Sequence, residues 1–239
     1  MGLNRFFSLG RMALACGLLS QAPWALADDP HVLVSGYANA QGVYDSQNFT
    51  TDGQRRKAVR VQVDSGDGDT ADCAVGAKMG VFMPTVLKLS RTPSVDYDSV
   101  GCQTMLDSID SVIAGAPGVA DGTPIRYVAT LVLRMAYLPP PAERGYLYLQ
   151  TMVQVEDGRY YWDGPTAVDA HQEITLQATY DAVAGQALRI RALVNSYNEL
   201  YGLSDMPVSG SLSLRGARLV LTSPTPGANI TGQSGHVYQ

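Results

Sequence analysis

Residues 173–223 read EITLQATYDAVAGQALRIRALVNSYNELYGLSDMPVSGSLSLRGARLVLTS. In the first eight, Ile174, Leu176, Ala178 and Tyr180 take every second place, the period of a half-buried strand. Asp181–Gln186 then supplies a turn with Gly185. Alternation resumes with Leu188, Ile190, Ala192 and Val194 on one side and Arg189 and Arg191 on the other, which predicts a β-hairpin. A third run starts in phase at Leu212 and Leu214, passes Gly216, and continues one place later at Ala217, Leu219 and Leu221. A one-residue slip beside a glycine predicts a β-bulge, because an unbroken ladder would turn the second set of apolar side chains to water.

The same rhythm extends upstream. Val59, Val61 and Val63 alternate with polar residues, as do Cys73, Val75, Ala77 and Met79 after an Asp/Gly-rich turn, and the two runs form a second expected hairpin. His31–Tyr37 fits a first strand with a less regular pattern, and the polar stretch Asn39–Arg56 reads mostly as loop. Val81–Leu89 is a strand marked by Pro84 as an edge or a kink. Tyr127, Ala129, Leu131, Leu133, Met135 and Tyr137 share one face of a long strand that ends at Pro139-Pro140-Pro141. In the next strand Leu147, Leu149, Val153 and Val155 face in, and Tyr146, Tyr148, Gln150, Met152, Gln154 and Glu156 face out.

One segment departs from this period. Met105, Leu106, Ile109, Val112 and Ile113 recur at helical spacing, Thr104 and Asp107 resemble a capping box, and Gly115 offers a stop, so Thr104–Ala114 is expected to be a short helix. The fold expected is all-β: an antiparallel β-sandwich, jelly-roll-like, with that one short helix.

Arg5 and Arg11 precede the apolar run Met12–Leu19, and Ala25-Leu26-Ala27 has the small-x-small form of a cleavage site. Residues 1–27 therefore read as a secretory signal peptide. Residues 28–223 form the sandwich domain, and 224–239, rich in Gly, Pro, Ser and Thr, is expected to be a loosely held tail. No later stretch has the ~18 apolar residues of a membrane helix. Removing Arg5 and Arg11 from the 17 basic residues leaves 15 against 22 acidic ones, a formal charge of −7. That balance argues against a nucleic-acid partner.

Cys73 and Cys102 are the two cysteines downstream of the leader, and in an oxidising compartment they are expected to pair as a disulfide. The expected location is outside the cytoplasm: periplasmic, cell-surface or extracellular.

The order Ala58–Met79 with its Asp/Gly turn, Gly122-Thr123-Pro124 opening a long strand, Ala184-Gly185-Gln186-Ala187-Leu188, and Gly210–Arg215 leading to Leu219-Val220-Leu221 resembles exported bacterial jelly-roll-like proteins of the PEP-CTERM-associated type. The resemblance lies in strand rhythm and turn placement across the mature domain. It implies the fold, export and an association with cell surface and extracellular polysaccharide, and it assigns no catalytic residue. Residues 224–239 lack the Pro-Glu-Pro sorting motif of that class, so anchoring by that route is not implied.

Two stretches carry candidate chemistry. Asp64, Asp67, Asp69 and Asp72 fall within nine residues (DSGDGDTAD), and closely spaced aspartates on a flexible turn suit Ca²⁺, which takes several oxygen ligands. A solvated hairpin turn uses the same residue types without a metal. Tyr146, Tyr148, Tyr160, Tyr161 and Trp162 concentrate aromatic rings in and after one strand, which suits a polysaccharide because the C–H faces of sugars stack on aromatic rings. A sandwich that caps its core and covers an edge with these rings fits the sequence equally.

Catalytic patterns are sparse: no HExxH, no GxSxG and no phosphate-cradling glycine loop occur. Glu156, Asp157 and Glu173 are the carboxylates that a hydrolase reading would use. The function expected is thus non-enzymatic surface or matrix binding, with polysaccharide the leading ligand class. The alternatives are a secreted polysaccharide hydrolase and a self-associating protein whose contact patch is Tyr146, Tyr148 and Met152.

Overall fold

The computed structural model describes residues 30–93, 98–138, 145–156, 158–164 and 171–238, with backbone alone for 146, 158–164 and 171–172. The expected signal peptide and the expected Pro139-Pro140-Pro141 stop lie outside the described residues, as does Asp157. The chain opens with β1 (His31–Ala40), β2 (Val43–Thr51), β3 (Lys57–Asp64), β4 (Thr70–Lys78), β5 (Val81–Phe82) and β6 (Thr85–Arg91). Long strands follow: β7 (Val100–Gly115), β8 (Pro124–Leu138) and β9 (Gly145–Val155), then β10 (Gly158–Gly164) and β11 (His171–Val183). The last are β12 (Ala187–Leu200), β13 (Val208–Thr222) and β14 (Asn229–Gly232).

These strands make two antiparallel sheets. The first runs β10-β9-β12-β7-β1-β2, with β14 added on β7. The second runs β11-β8-β13-β5-β4-β3, with β6 between β13 and β4. The fold is an all-β sandwich. Its core comes from the alternating inward rows, among them Val32 and Val34 of β1, Leu131 and Leu133 of β8, Leu147 and Leu149 of β9 and Leu212 and Leu219 of β13, all buried. Cys73 of β4 and Cys102 of β7 are bonded, with Cα atoms 5.9 Å apart, and join one sheet to the other through the core.

The expected helix at Thr104–Ala114 is instead the middle of β7, flanked by β1 and β12. Its inward row mixes apolar Leu106 and Val112 with buried polar Thr104, Ser108 and Asp110, while its outward row carries apolar Met105, Ile109 and Ile113, so the two-residue period that identifies strands in a sequence is lost. Its apolar residues then meet a helical template by coincidence.

The hairpin expected around Gly185 is also different. The two strands exist, but β11 pairs with β8 in the second sheet and β12 with β7 and β9 in the first. The turn between them is a crossover held at the sandwich corner, where Gly185 N–H donates to the Ala114 carbonyl and Ala184 N–H to that of Thr123.

The β3–β4 hairpin forms as read. The register of β13 on β8 shifts between Arg215 and Arg218, as the slip at Gly216 predicts. There β13 also exchanges one neighbour for another, since β5 and β6 break at Met83-Pro84 beside the bulge.

Residues 224–238, expected to be loose, are packed. β14 pairs with the end of β7, and Tyr238, 2% exposed, donates its hydroxyl to Asp110 at 2.8 Å. Ser234 donates to the same carboxylate from its hydroxyl at 2.6 Å and its N–H at 3.2 Å. Composition suggested freedom, whereas one buried acceptor recruits the segment. No helix of the described residues is long and apolar enough to cross a membrane.

Candidate functional site

Successive residues of a strand alternate in direction, and side chains at paired positions of neighbouring strands point the same way. In the first sheet the inward row of β12 is Ala192, Val194, Ser196, Asn198 and Leu200, which leaves Arg191, Leu193, Asn195, Tyr197 and Glu199 on the outer face. Pairing then fixes what stands beside them. Tyr148 of β9 is opposite Tyr197 of β12, Tyr197 opposite Gln103 of β7, and Gln103 opposite Tyr37 of β1. All four are partly exposed. The row continues to Ser46 of β2.

A second row beside it carries Gln150, Asn195, Met105, Ser35 and Asn48. Gln103 Nε2 donates to Asn195 Oδ1 at 3.5 Å, which links the two rows. Gly101, next to Tyr197, has no side chain, and the Tyr197 hydroxyl lies 3.6 Å from where its Cβ would be. The face therefore carries three tyrosine rings in one row with amide groups within and beside it. Neighbouring strands are ~4.8 Å apart, so Tyr197 and Tyr37, with β7 between them, stand roughly 10 Å apart along the row.

Of the aromatic residues singled out in the sequence, Tyr148 lies in this row. Tyr146 occupies the next outward position of β9, opposite Glu199. β10 pairs with β9 so that Tyr161 is opposite Met152, while Tyr160 and Trp162 are opposite the buried Val153 and Thr151. The register thus divides the triplet: Tyr161 takes a position of the outward row, Tyr160 and Trp162 positions of the inward one. Met152 is only 8% exposed and adds little to an apolar patch with Tyr146 and Tyr148.

Sequence reading missed Tyr37, Gln103, Asn195 and Tyr197. Extending the outward parity of Arg189 and Arg191 would have reached Asn195 and Tyr197. Their juxtaposition with Tyr37 was not legible, because β1, β7, β9 and β12 come from distant parts of the chain.

The four aspartates of the turn do not converge. Asp69 is fully buried and accepts from Thr92 N–H at 2.7 Å, Thr92 Oγ1 at 2.6 Å and Gln41 Nε2 at 2.9 Å. Buried Arg91 lies 3.8 Å from it and donates to the Gly202 carbonyl. Asp72 forms a bidentate pair with Arg60 at 2.9 and 2.7 Å, and those hydrogen bonds hold its carboxyl below the usual range. Asp64 accepts from Gly66 N–H at 2.8 Å, and Asp67 is exposed. Among the described residues no three His, Cys, Asp or Glu side chains gather in a group able to hold a metal ion.

The two described carboxylates of the hydrolase reading are also apart. Glu156 accepts from Arg189 N–H at 2.7 Å at the end of β9 in the first sheet, whereas Glu173 pairs with Arg134 at 2.6 Å on the second.

No family model matches the chain, and no curated protein matches it. Among solved structures the chain is similar to one from work on the promiscuous specificity of carbohydrate-binding modules of the beta-sandwich superfamily. The identity is 10%, the TM-score 0.21, and the match covers 83% of this chain and 95% of that one. At this level nothing about ligand or residues is transferred.

Proposed function

We propose that this is an exported, non-catalytic sandwich protein of jelly-roll type that binds polysaccharide on the outer face of its first sheet. The observation that carries the reading is the row Tyr148–Tyr197–Gln103–Tyr37 with the amides of Asn195 and Gln150 beside it. Aromatic rings on a rigid sheet offer apolar stacking surface for the C–H faces of sugar rings at little entropic cost, and neighbouring amides exchange hydrogen bonds with the hydroxyls. A spacing of roughly 10 Å between Tyr197 and Tyr37 suits an extended chain lying across the strands better than a single sugar. The leader and the Cys73–Cys102 bond support a location outside the cytoplasm, where such polymers occur.

Binding to a panel of purified polysaccharides, by pull-down and calorimetry, tests the reading. Tyr197→Ala and Tyr37→Ala should each weaken binding about tenfold or more, the equivalent of ~1.4 kcal/mol, with unchanged melting temperature. Tyr197→Trp should retain it. Binding that is indifferent to both alanine variants would refute the assignment of this face.

A further inference from the structure

β2 stands out among the edge strands. All of its residues except Thr51 are exposed, including Val43 (48%), Tyr44 (71%) and Phe49 (46%). It pairs with β1 on one side, and among the described residues the first sheet ends there. Sheet edges are normally protected from pairing by charges, prolines or bulges. The strands at the other three ends of the two sheet orders carry at least two charges each: Lys57, Arg60 and Asp64 on β3, Arg159 and Asp163 on β10, Glu173 and Asp181 on β11. β2 has a single charge, Asp45, no proline, and an unbroken register over nine pairs with β1.

The turn before it determines which backbone groups face outward. Gln41 and Gly42 both have positive φ, 49° and 81°, the type I′ arrangement of a two-residue hairpin. Ala40 and Val43 then form a hydrogen-bonded pair, and such pairs alternate along the ladder. Val43, Asp45, Gln47, Phe49 and Thr51 direct their N–H and C=O groups to β1. Tyr44, Ser46, Asn48 and Thr50 direct theirs away from the sheet.

We infer that β2 pairs antiparallel with β2 of a second copy of this chain, about a two-fold axis at Gln47. This centre brings the outward-directed residues together, Ser46 with Asn48 and Tyr44 with Thr50 of the second copy, so that their backbone groups bond reciprocally. No like charges meet: Asp45 of one copy lies opposite Phe49 of the other. Lys57 Nζ already sits over the Phe49 ring, 6.0 Å from its centroid, which offers the incoming Asp45 a countercharge. Tyr44 beside Thr50 is a favourable aromatic and β-branched cross-strand pair. The product is one continuous sheet through both copies.

Sedimentation of the purified protein over a concentration series should show a monomer–dimer equilibrium. Asn48→Pro removes an N–H that points away from β1, so the fold and its melting temperature are retained while the dimer is lost. Gln47→Cys places two thiols at a non-hydrogen-bonded pair, where Cα atoms are ~4.5 Å apart, and mild oxidation should yield a covalent dimer. A protein that stays monomeric throughout, with no cross-link from Gln47→Cys, overturns the inference. So does a dimer that survives Asn48→Pro, since its interface then lies elsewhere.

Discussion

Asp69 illustrates how one residue's role changes when the chain closes over it. Within DSGDGDTAD it looks like one of four exchangeable cation ligands, yet only Asp69 is buried, and its partners come from the β1–β2 turn and the end of β6. A buried carboxylate is tolerated when donors and a cation surround it, as Thr92, Gln41 and Arg91 do here. Asp72 has its own countercharge in Arg60. EDTA is accordingly expected to leave the melting temperature unchanged, and a fall reversed by added Ca²⁺ would show that the turn takes a cation after all. His236 makes a second residue-scale prediction. Burial, with the charges of Lys78 and Arg218 adding, holds its pKa below the ordinary value, and Asp110 acts in the opposite sense. The folded state then binds fewer protons than the unfolded chain, so this contribution to stability falls as pH drops through ~6.5 and levels off below the folded value. His236→Gln should reduce the loss of melting temperature between pH 7.5 and 5.5. Equal slopes in the two proteins would contradict this account.

Elements were legible in proportion to how unequal their two faces are. β3, β4, β8 and β13 each have one face in the core and one outside, and their alternation identified them. β7 mixes polar and apolar residues on both of its faces and β2 is exposed on both, so neither shows the period of two: the first imitated a helix, the second a loop. The bulge in β13 was readable because the slip at Gly216 preserves burial on both sides of it. A Cβ at Gly216 would lie 2.6 Å from the Phe82 carbonyl oxygen, a backbone atom with little room to retreat. Gly216→Ala should therefore destabilise the protein by about 1–3 kcal/mol, measured by urea denaturation, through displacement of β5 from the bulge. The C-terminal segment escaped notice for another reason: its anchor, Tyr238 on Asp110, is a contact between residues far apart in the chain.

For the molecule as a whole, the Cys73–Cys102 bond connects the two sheets and closes a 29-residue separation. In the chain-entropy treatment a loop of this size contributes about 3–4 kcal/mol, so the Cys73→Ser, Cys102→Ser double variant should melt roughly 10 °C lower. Matching thermal unfolding curves in the wild type and the double variant would remove the bond from the stability account. The sequence by itself determined the strand period, the class of fold, the cysteine pair and the outward direction of Tyr148, because parity and composition are local properties of the chain. Tertiary structure alone decided that β11 and β12 belong to different sheets and that Asp69 is buried against Gln41 and Thr92. It also decided that Tyr148, Tyr197, Gln103 and Tyr37 stand in one row across four strands. Strand pairing is a long-range choice in which many partners satisfy the same local pattern, and a binding face that spans strands exists only after that choice is made.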